Sequence, residues 1–121
     1  FGSTKNPVDL TGQANEDWYY GAIVEAVKHP DVGGIVVIYC HTAITDPVKI
    51  GVRISEATKM ARDYKKPIVV CFIGGEEVEE TSNWLKEQGI PTYPTPARAI
   101  KAMAALREYG RIIERIKKRQ Q

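Results

Sequence analysis

Hydrophobic residues recur along this chain in two alternating rhythms, short continuous runs and longer stripes with a helical period. The runs Val8 to Thr11, Ile35 to Cys40 and Ile68 to Ile73, with the pair Thr92-Tyr93, predict β-strands. The two middle runs are unbroken and rich in β-branched residues, the pattern of parallel strands covered on both faces. Tyr20, Ile23, Val24 and Val27 fall at i, i+3, i+4 and i+7 and predict a helix from about Glu16 to Lys28, capped by Asn15 and ended by His29, Pro30 and Gly33-Gly34. A second helix opens at Asp46-Pro47, a cap followed by proline at the first helical position. It carries Ile50, Ile54, Ala57 and Ala61 on one face and stops before Lys65-Lys66-Pro67. A third follows Gly74-Gly75, places Glu76 and Glu77 at its positive dipole end, and meets Gly89 and Pro91 as terminators. Thr95-Pro96 repeats the cap-plus-proline device and starts a long final helix with Ala99, Met103, Leu106, Gly110 and Ile113 as its apolar seam.

The strand starts near residues 8, 35, 68 and 92 lie 27, 33 and 24 residues apart, close to the ~30 of a βαβ unit. This alternation predicts an α/β domain of three layers, a parallel sheet with helices on both faces. With 121 residues, 43% hydrophobic and 26% charged, the chain can build its own core and is not collagen-like, disordered or coiled-coil. No apolar run approaches the ~20 residues that span a bilayer, and no basic-apolar leader stands at the start. A cytoplasmic protein without a membrane partner is expected.

The net charge of +2 is uneven. Residues 111–121 hold Arg111, Arg115, Lys117, Lys118 and Arg119 against Glu114, which leaves 12 basic and 14 acidic residues in the rest. A basic tail can touch nucleic acid or anionic membrane, but cations in a last helical turn also complement the helix dipole, which is explanation enough. Residues 111–121 are therefore read as a basic helix end or the start of a linker, and no nucleic-acid partner is expected.

Candidate chemistry is sparse. No GxxxxGK[ST] loop, GxGxxG turn or GxSxG elbow occurs. Cys40 and Cys71 sit in apolar runs and read as core thiols. Neither they nor His29 and His41 have metal-ligand spacing, so no metal site is expected. Adjacent Cys40 and His41 point to opposite sides of an extended strand and cannot easily form a nucleophile-base pair. His41 as a phosphate carrier and His41 as a solvated loop residue both stay open.

In an open parallel sheet, ligands bind outside the carboxyl ends of the strands, where helix N-termini present unpaired N–H groups. Asp9 to Gly12, His41 to Asp46 and Gly74 to Glu76 converge there. Thr11, Thr42 and Thr45 add hydroxyls, and Gly12, Gly74 and Gly75 allow close backbone approach. A helix dipole contributes about 0.3 to 1 kcal/mol to an anion at its N-terminus. Such a site steadies a phosphate without performing chemistry alone.

Four segments then carry a resemblance. Asn6-Pro7-Val8-Asp9-Leu10-Thr11-Gly12, Ala43-Ile44-Thr45-Asp46-Pro47, Gly74-Gly75-Glu76 and Gly89-Ile90-Pro91-Thr92-Tyr93-Pro94-Thr95-Pro96 stand in register across residues 5–110. They resemble the NDP-forming acyl-CoA synthetases, in the flavodoxin-like domain related to the C-terminal domain of the succinyl-CoA synthetase β subunit.

The resemblance implies one domain of an ADP-forming enzyme, an acid-thiol ligase that interconverts acyl-CoA, ADP and phosphate with acid, CoA and ATP. In that family an acyl phosphate forms and its phosphoryl group moves to a histidine on another domain. An ATP-grasp domain completes transfer to nucleotide. ATP/ADP, Mg2+ and CoA serve the whole enzyme, whose CoA-binding, phosphohistidine and ATP-grasp domains are the implied partners. This chain would hold no catalytic residue and no cofactor of its own. Its part would be the helix N-terminus at Asp46, with Thr42, Ala43 and Thr45 facing the phosphohistidine and Asp9, Thr11, Gly12, Gly74, Gly75 and Glu76 in supporting loops. The family commonly has proline where His41 stands, so His41 inherits no role. It also carries a further βα unit before the Asn-Pro segment, so a flavodoxin-like domain lacking its first βα unit, hence a fragment, is expected. The alternative is a free-standing flavodoxin-like module that binds phosphate or nucleotide through the same helix ends.

Overall fold

The computed structural model describes residues 15–120. The strand expected over Val8 to Thr11, and with it Asp9, Thr11 and Gly12, lies outside them. Within them, helix α1 (Glu16–Lys28) leads to strand β1 (Ile35–Cys40), helix α2 (Pro47–Ala61) and a 3-10 turn at Arg62–Tyr64. Strand β2 (Ile68–Ile73), helix α3 (Glu76–Glu87), strand β3 (Thr92–Tyr93) and helix α4 (Pro96–Gln120) follow.

Each boundary has a local cause. Asn15 accepts from the Trp18 amide at the head of α1, and Asp46 accepts from the Val48 and Lys49 amides at the head of α2, where Pro47 has no N–H to satisfy. Thr95 Oγ1 accepts from the Arg98 amide at the head of α4. Lys65 ends the 3-10 turn in the left-handed region at φ 56°. Lys66 then reaches back, and its Nζ donates to the carbonyls of Val27 (2.6 Å) and His29 (2.7 Å), placing a cation where the carbonyls of α1 run out.

The strands are parallel in the order β1-β2-β3, with Ile35 opposite Ile68 and Val70 opposite Thr92. One face of the sheet carries the larger core. Ile23 and Val27 of α1, Ile50, Ile54, Ala57 and Ala61 of α2 and Val78 and Leu85 of α3 close over Val37, Tyr39, Ile68, Val70 and Phe72. On the other face Ala99 and Met103 of α4 lie over Val69 and Cys71, flanked by Val36, Ile73 and Tyr93. The result is the expected three-layer α/β arrangement with helices on both faces.

Three expectations need correction. Strand β1 is not covered on both faces: Val37 and Tyr39 are buried, but Ile38 is 43% exposed and Cys40 is exposed too. Cys71 is a buried thiol, whereas Cys40 is not a core residue. The cause is where α4 sits: it lies over β2, β3 and the start of β1 at Val36, and leaves Ile38 and Cys40 uncovered. The seam of α4 is likewise shorter than its pattern. Ala99 and Met103 bury, but Leu106 and Gly110 are exposed because the helix outruns the sheet.

Candidate functional site

The site lies where the sheet's carboxyl edge hands over to α2 and α3. β1 leads through His41–Asp46 into α2, and β2 leads through Gly74-Gly75 into α3. The His41 amide donates to the Ile73 carbonyl (2.8 Å), which holds the two exits side by side. Gly74 is pressed against the first of them: a Cβ added there would stand 2.5 Å from His41 Cβ and 3.0 Å from Val78 Cγ1. Gly75 takes φ 65° and ψ −145°, a conformation that L side chains rarely adopt.

A buried tyrosine organises the first exit. Tyr39 is fully buried, its ring packed on Phe72 with centroids 4.7 Å apart and edge-on to Tyr19. Its hydroxyl hydrogen-bonds to His41 Nδ1 (2.9 Å) and to Thr45 Oγ1 (2.8 Å). Thr45 Oγ1 in turn accepts from the Thr42 amide (3.1 Å) and lies 3.2 Å from Thr42 Oγ1, while the Thr45 amide donates to the Thr42 carbonyl. Burial pushes the Tyr39 phenol above its ordinary value of 10.0, opposed in part by the Thr45 hydrogen bond and reinforced by the charges of Asp46 and Cys40. Tyr39 thus stays a neutral hydroxyl that links loop to core.

The expected site residues divide accordingly. Thr42, Ala43, Thr45 and Asp46 share one turn; Gly74 meets the chain just before it, at His41, and Gly75 and Glu76 follow along the second exit. Ala43, Ile44 and Asp46 are exposed, so the turn is open to solvent. The distribution of donors differs from that of a bare helix end. Asp46 already accepts from the Val48 and Lys49 amides, Pro47 has none, and the Ile50 amide donates to the Asp46 carbonyl. The Ala43 and Ile44 amides, just ahead of α2, have no acceptor among the described residues. Cys40 is on the opposite side of the strand from the Tyr39–His41 pair, as period two requires.

Sequence reasoning passed over Tyr39. The available signal was a phenol inside an otherwise aliphatic strand, two residues before His41 and therefore on the same side. It also missed Arg53, which spans α1 and α2 by stacking 3.9 Å over the Tyr20 ring and approaching Asp17 at 3.3 Å. Beside the start of α2, a shallow groove is lined by Glu16, Asp17, Val48, Lys49, Val52 and Arg53. No group of three or more His, Cys, Asp or Glu able to hold a metal ion occurs among the described residues, and no described helix is long and apolar enough to cross a membrane.

A three-layer parallel α/β domain with a polar turn at the strand ends is the class that fold and site define. The family model of the Ligase-CoA domain matches residues 1–117, and this chain belongs to that family. It is 48% identical over 112 residues to the alpha subunit of acetate–CoA ligase [ADP-forming] I of Pyrococcus furiosus, covering 92% of this chain and 24% of that subunit. It is 33% identical over 107 residues to the beta subunit of succinate–CoA ligase [GDP-forming] of Thermus thermophilus, with 87% and 27% covered. Among solved structures, the dinucleotide-forming acetyl-coenzyme A synthetase 1 of Ca. Korarchaeum cryptofilum, in complex with phosphate and ADP, superposes with a TM-score of 0.83 at 46% identity. That match covers 92% of this chain and 24% of the other. The chain spans about a quarter of the length of these relatives.

Proposed function

We propose that this chain is the Ligase-CoA domain of an ADP-forming acyl-CoA synthetase and that its His41–Asp46 turn faces the phosphoryl group in transit. In the whole enzyme, phosphate displaces CoA from acyl-CoA to give an acyl phosphate. The phosphoryl group then passes to a histidine on another domain, releasing the acid, and from there to ADP. The CoA-binding, phosphohistidine and ATP-grasp domains would be the partners of this chain, and ADP/ATP, CoA and Mg2+ would act on them.

The observation that carries the reading is the open turn itself, in a chain 46% identical to a synthetase whose structure was solved with phosphate and ADP. Two amides, Ala43 and Ile44, have no acceptor among the described residues and would donate to an oxyanion, and the Thr42 and Thr45 hydroxyls belong to the same turn, fastened to Tyr39. The axis of α2 points its positive end at the same place, although the Asp46 carboxylate opposes part of that field. The resemblance to multi-domain synthetase relatives favours this reading over a free-standing phosphate-binding module.

Asp46 supplies a charge-specific test. Asn caps a helix as well as Asp, so Asp46→Asn preserves the cap and removes only the negative charge. At about 6 to 8 Å in a solvated setting, one unit charge acting on a phosphoryl group is worth about 1 kcal/mol. In the full synthetase, Asp46→Asn should therefore lower the KM for phosphate or speed single-turnover phosphoryl transfer about threefold or more, with KM for CoA unmoved. Unchanged values for both phosphate KM and transfer rate, with stability unchanged, would remove the turn from the phosphoryl path.

A further inference from the structure

We infer that the part of α4 beyond the sheet is a docking seam for an amphipathic helix with acidic flanks, contributed by another domain or subunit of the same synthetase. Only the beginning of α4 lies on the sheet, where Ala99 and Met103 are buried. From Leu106 the helix runs on unbroken to Gln120, about 20 Å at ~1.5 Å per residue. Its apolar positions do not stop where its contacts stop. Leu106, Tyr109, Ile113 and Ile116 recur at intervals of three and four, the a/d spacing of a helix-helix seam, and Leu106, Tyr109 and Ile116 are 41%, 65% and 45% exposed. Single exposed apolar residues are ordinary, but a periodic stripe of them marks an interaction surface. A cleft where Leu106 and Gly110 face Lys65 and Pro67 marks the end of the seam nearest the body of the domain.

The rims of the seam select the occupant. With Leu106 and Ile113 at a and Tyr109 and Ile116 at d, the flanking e and g positions carry Lys117 and Arg119 and no acidic residue, while Arg107 lies beside Gly33 in the body of the domain. Glu108 is already engaged by Arg111 and Arg115 along the helix, both at 3.6 Å. Two copies of this helix packed along the seam would bring like charges together, whereas Asp or Glu at the flanking positions of a different helix would complement both rims. The relatives are about four times as long as this chain and include enzymes built from named subunits, so such an enzyme has more polypeptide to offer.

A photo-crosslink in the full synthetase tests this. With Ile116 replaced by p-benzoylphenylalanine, irradiation should join α4 to a segment of another domain or subunit. That segment should itself show apolar residues at three- and four-residue spacing, flanked by Asp or Glu. Ile113→Asp, on the projecting helix, should cut the yield at least tenfold while the thermal midpoint of the enzyme is retained. Lys117→Glu with Arg119→Glu, or added salt, should cut it at least threefold. A crosslink between two copies of α4, a partner segment without acidic flanks, loss of the product on adding vesicles of anionic lipid, or no product with the label shown intact by mass would each overturn the inference. It rests on membership in a synthetase and not on the phosphoryl-facing turn, so this experiment and the Asp46→Asn kinetics fail independently.

Discussion

The two strand-to-helix exits of this domain solve one problem in opposite ways. Between β1 and α2 the chain spends six residues, ties the turn to the core through the Tyr39 hydroxyl, and closes the helix with Asp46 and Pro47. Between β2 and α3 it spends two glycines, and no side chain caps the helix. Gly75 reaches a backbone region closed to other residues, and Glu76, Glu77 and Glu79 supply the favourable charge from inside the first turn. The first exit is specified by side-chain hydrogen bonds, the second by backbone freedom and empty space. The first therefore leaves polar groups open to solvent, while the second lets His41 pack closely beside it.

That contrast predicts different sensitivities. Gly75→Ala should be the most damaging, about 2 to 3 kcal/mol of unfolding free energy in a denaturant titration, because φ 65° with ψ −145° is strained for any side chain. A loss below about 0.5 kcal/mol would mean that the second exit does not depend on backbone freedom. Gly74→Ala should cost about 2 kcal/mol through overpacking on His41 and Val78. Adding His41→Gly removes the nearest obstructing atom, so the double variant should be more stable than the sum of the two single losses. Strict additivity in that cycle would dissociate the two exits.

At the first exit the effects are smaller and chemical. Tyr39→Phe keeps the ring on Phe72 but strips His41 Nδ1 and Thr45 Oγ1 of their shared partner, at about 1.5 kcal/mol. The same variant changes the alkaline response. The phenol's folded pKa lies above its ordinary value of 10.0 and the Cys71 thiol's above 9.0, both chiefly through burial. The folded state then holds each proton more tightly than the unfolded state, so stability is fully present below the ordinary values and falls as pH rises through them toward the folded ones. Unfolding measured from pH 8 to 11 should show a decline that is shallower in Tyr39→Phe; identical slopes would place the phenol outside the linkage. Asp46→Ala should have the mildest effect, about 1 kcal/mol from the lost cap, whereas Asp46→Asn should cost almost nothing.

Much of this molecule was legible in its residues. Asn15, Asp46-Pro47 and Thr95-Pro96 announced helix starts because a cap acts over three residues, within reach of any sequence window. The stripe Ile50, Ile54, Ala57 and Ala61 announced the buried face of α2 for the same reason, and all four are buried. The turn at Thr42 to Asp46 could be placed at the sheet's carboxyl edge by alternation alone. The Tyr39 hydroxyl could not be assigned partners, since its role depends on the inward side of β1 and on a loop that folds back over it. Lys66 was read only as a place where a helix stops, because its acceptors, the Val27 and His29 carbonyls, lie nearly forty residues away.

Period, caps and turn residues, all of them interactions between near neighbours along the chain, determined where each element begins, which side of it is apolar, and to which family the pattern is akin. Which apolar residues found cover was decided only in three dimensions. Ile38, Cys40 and Leu106 have the same hydrophobic character as their buried neighbours, but α4 covers β2, β3 and only the start of β1, and it runs past the end of the sheet. Burial is a property of where other segments lie, and no local pattern carries that information.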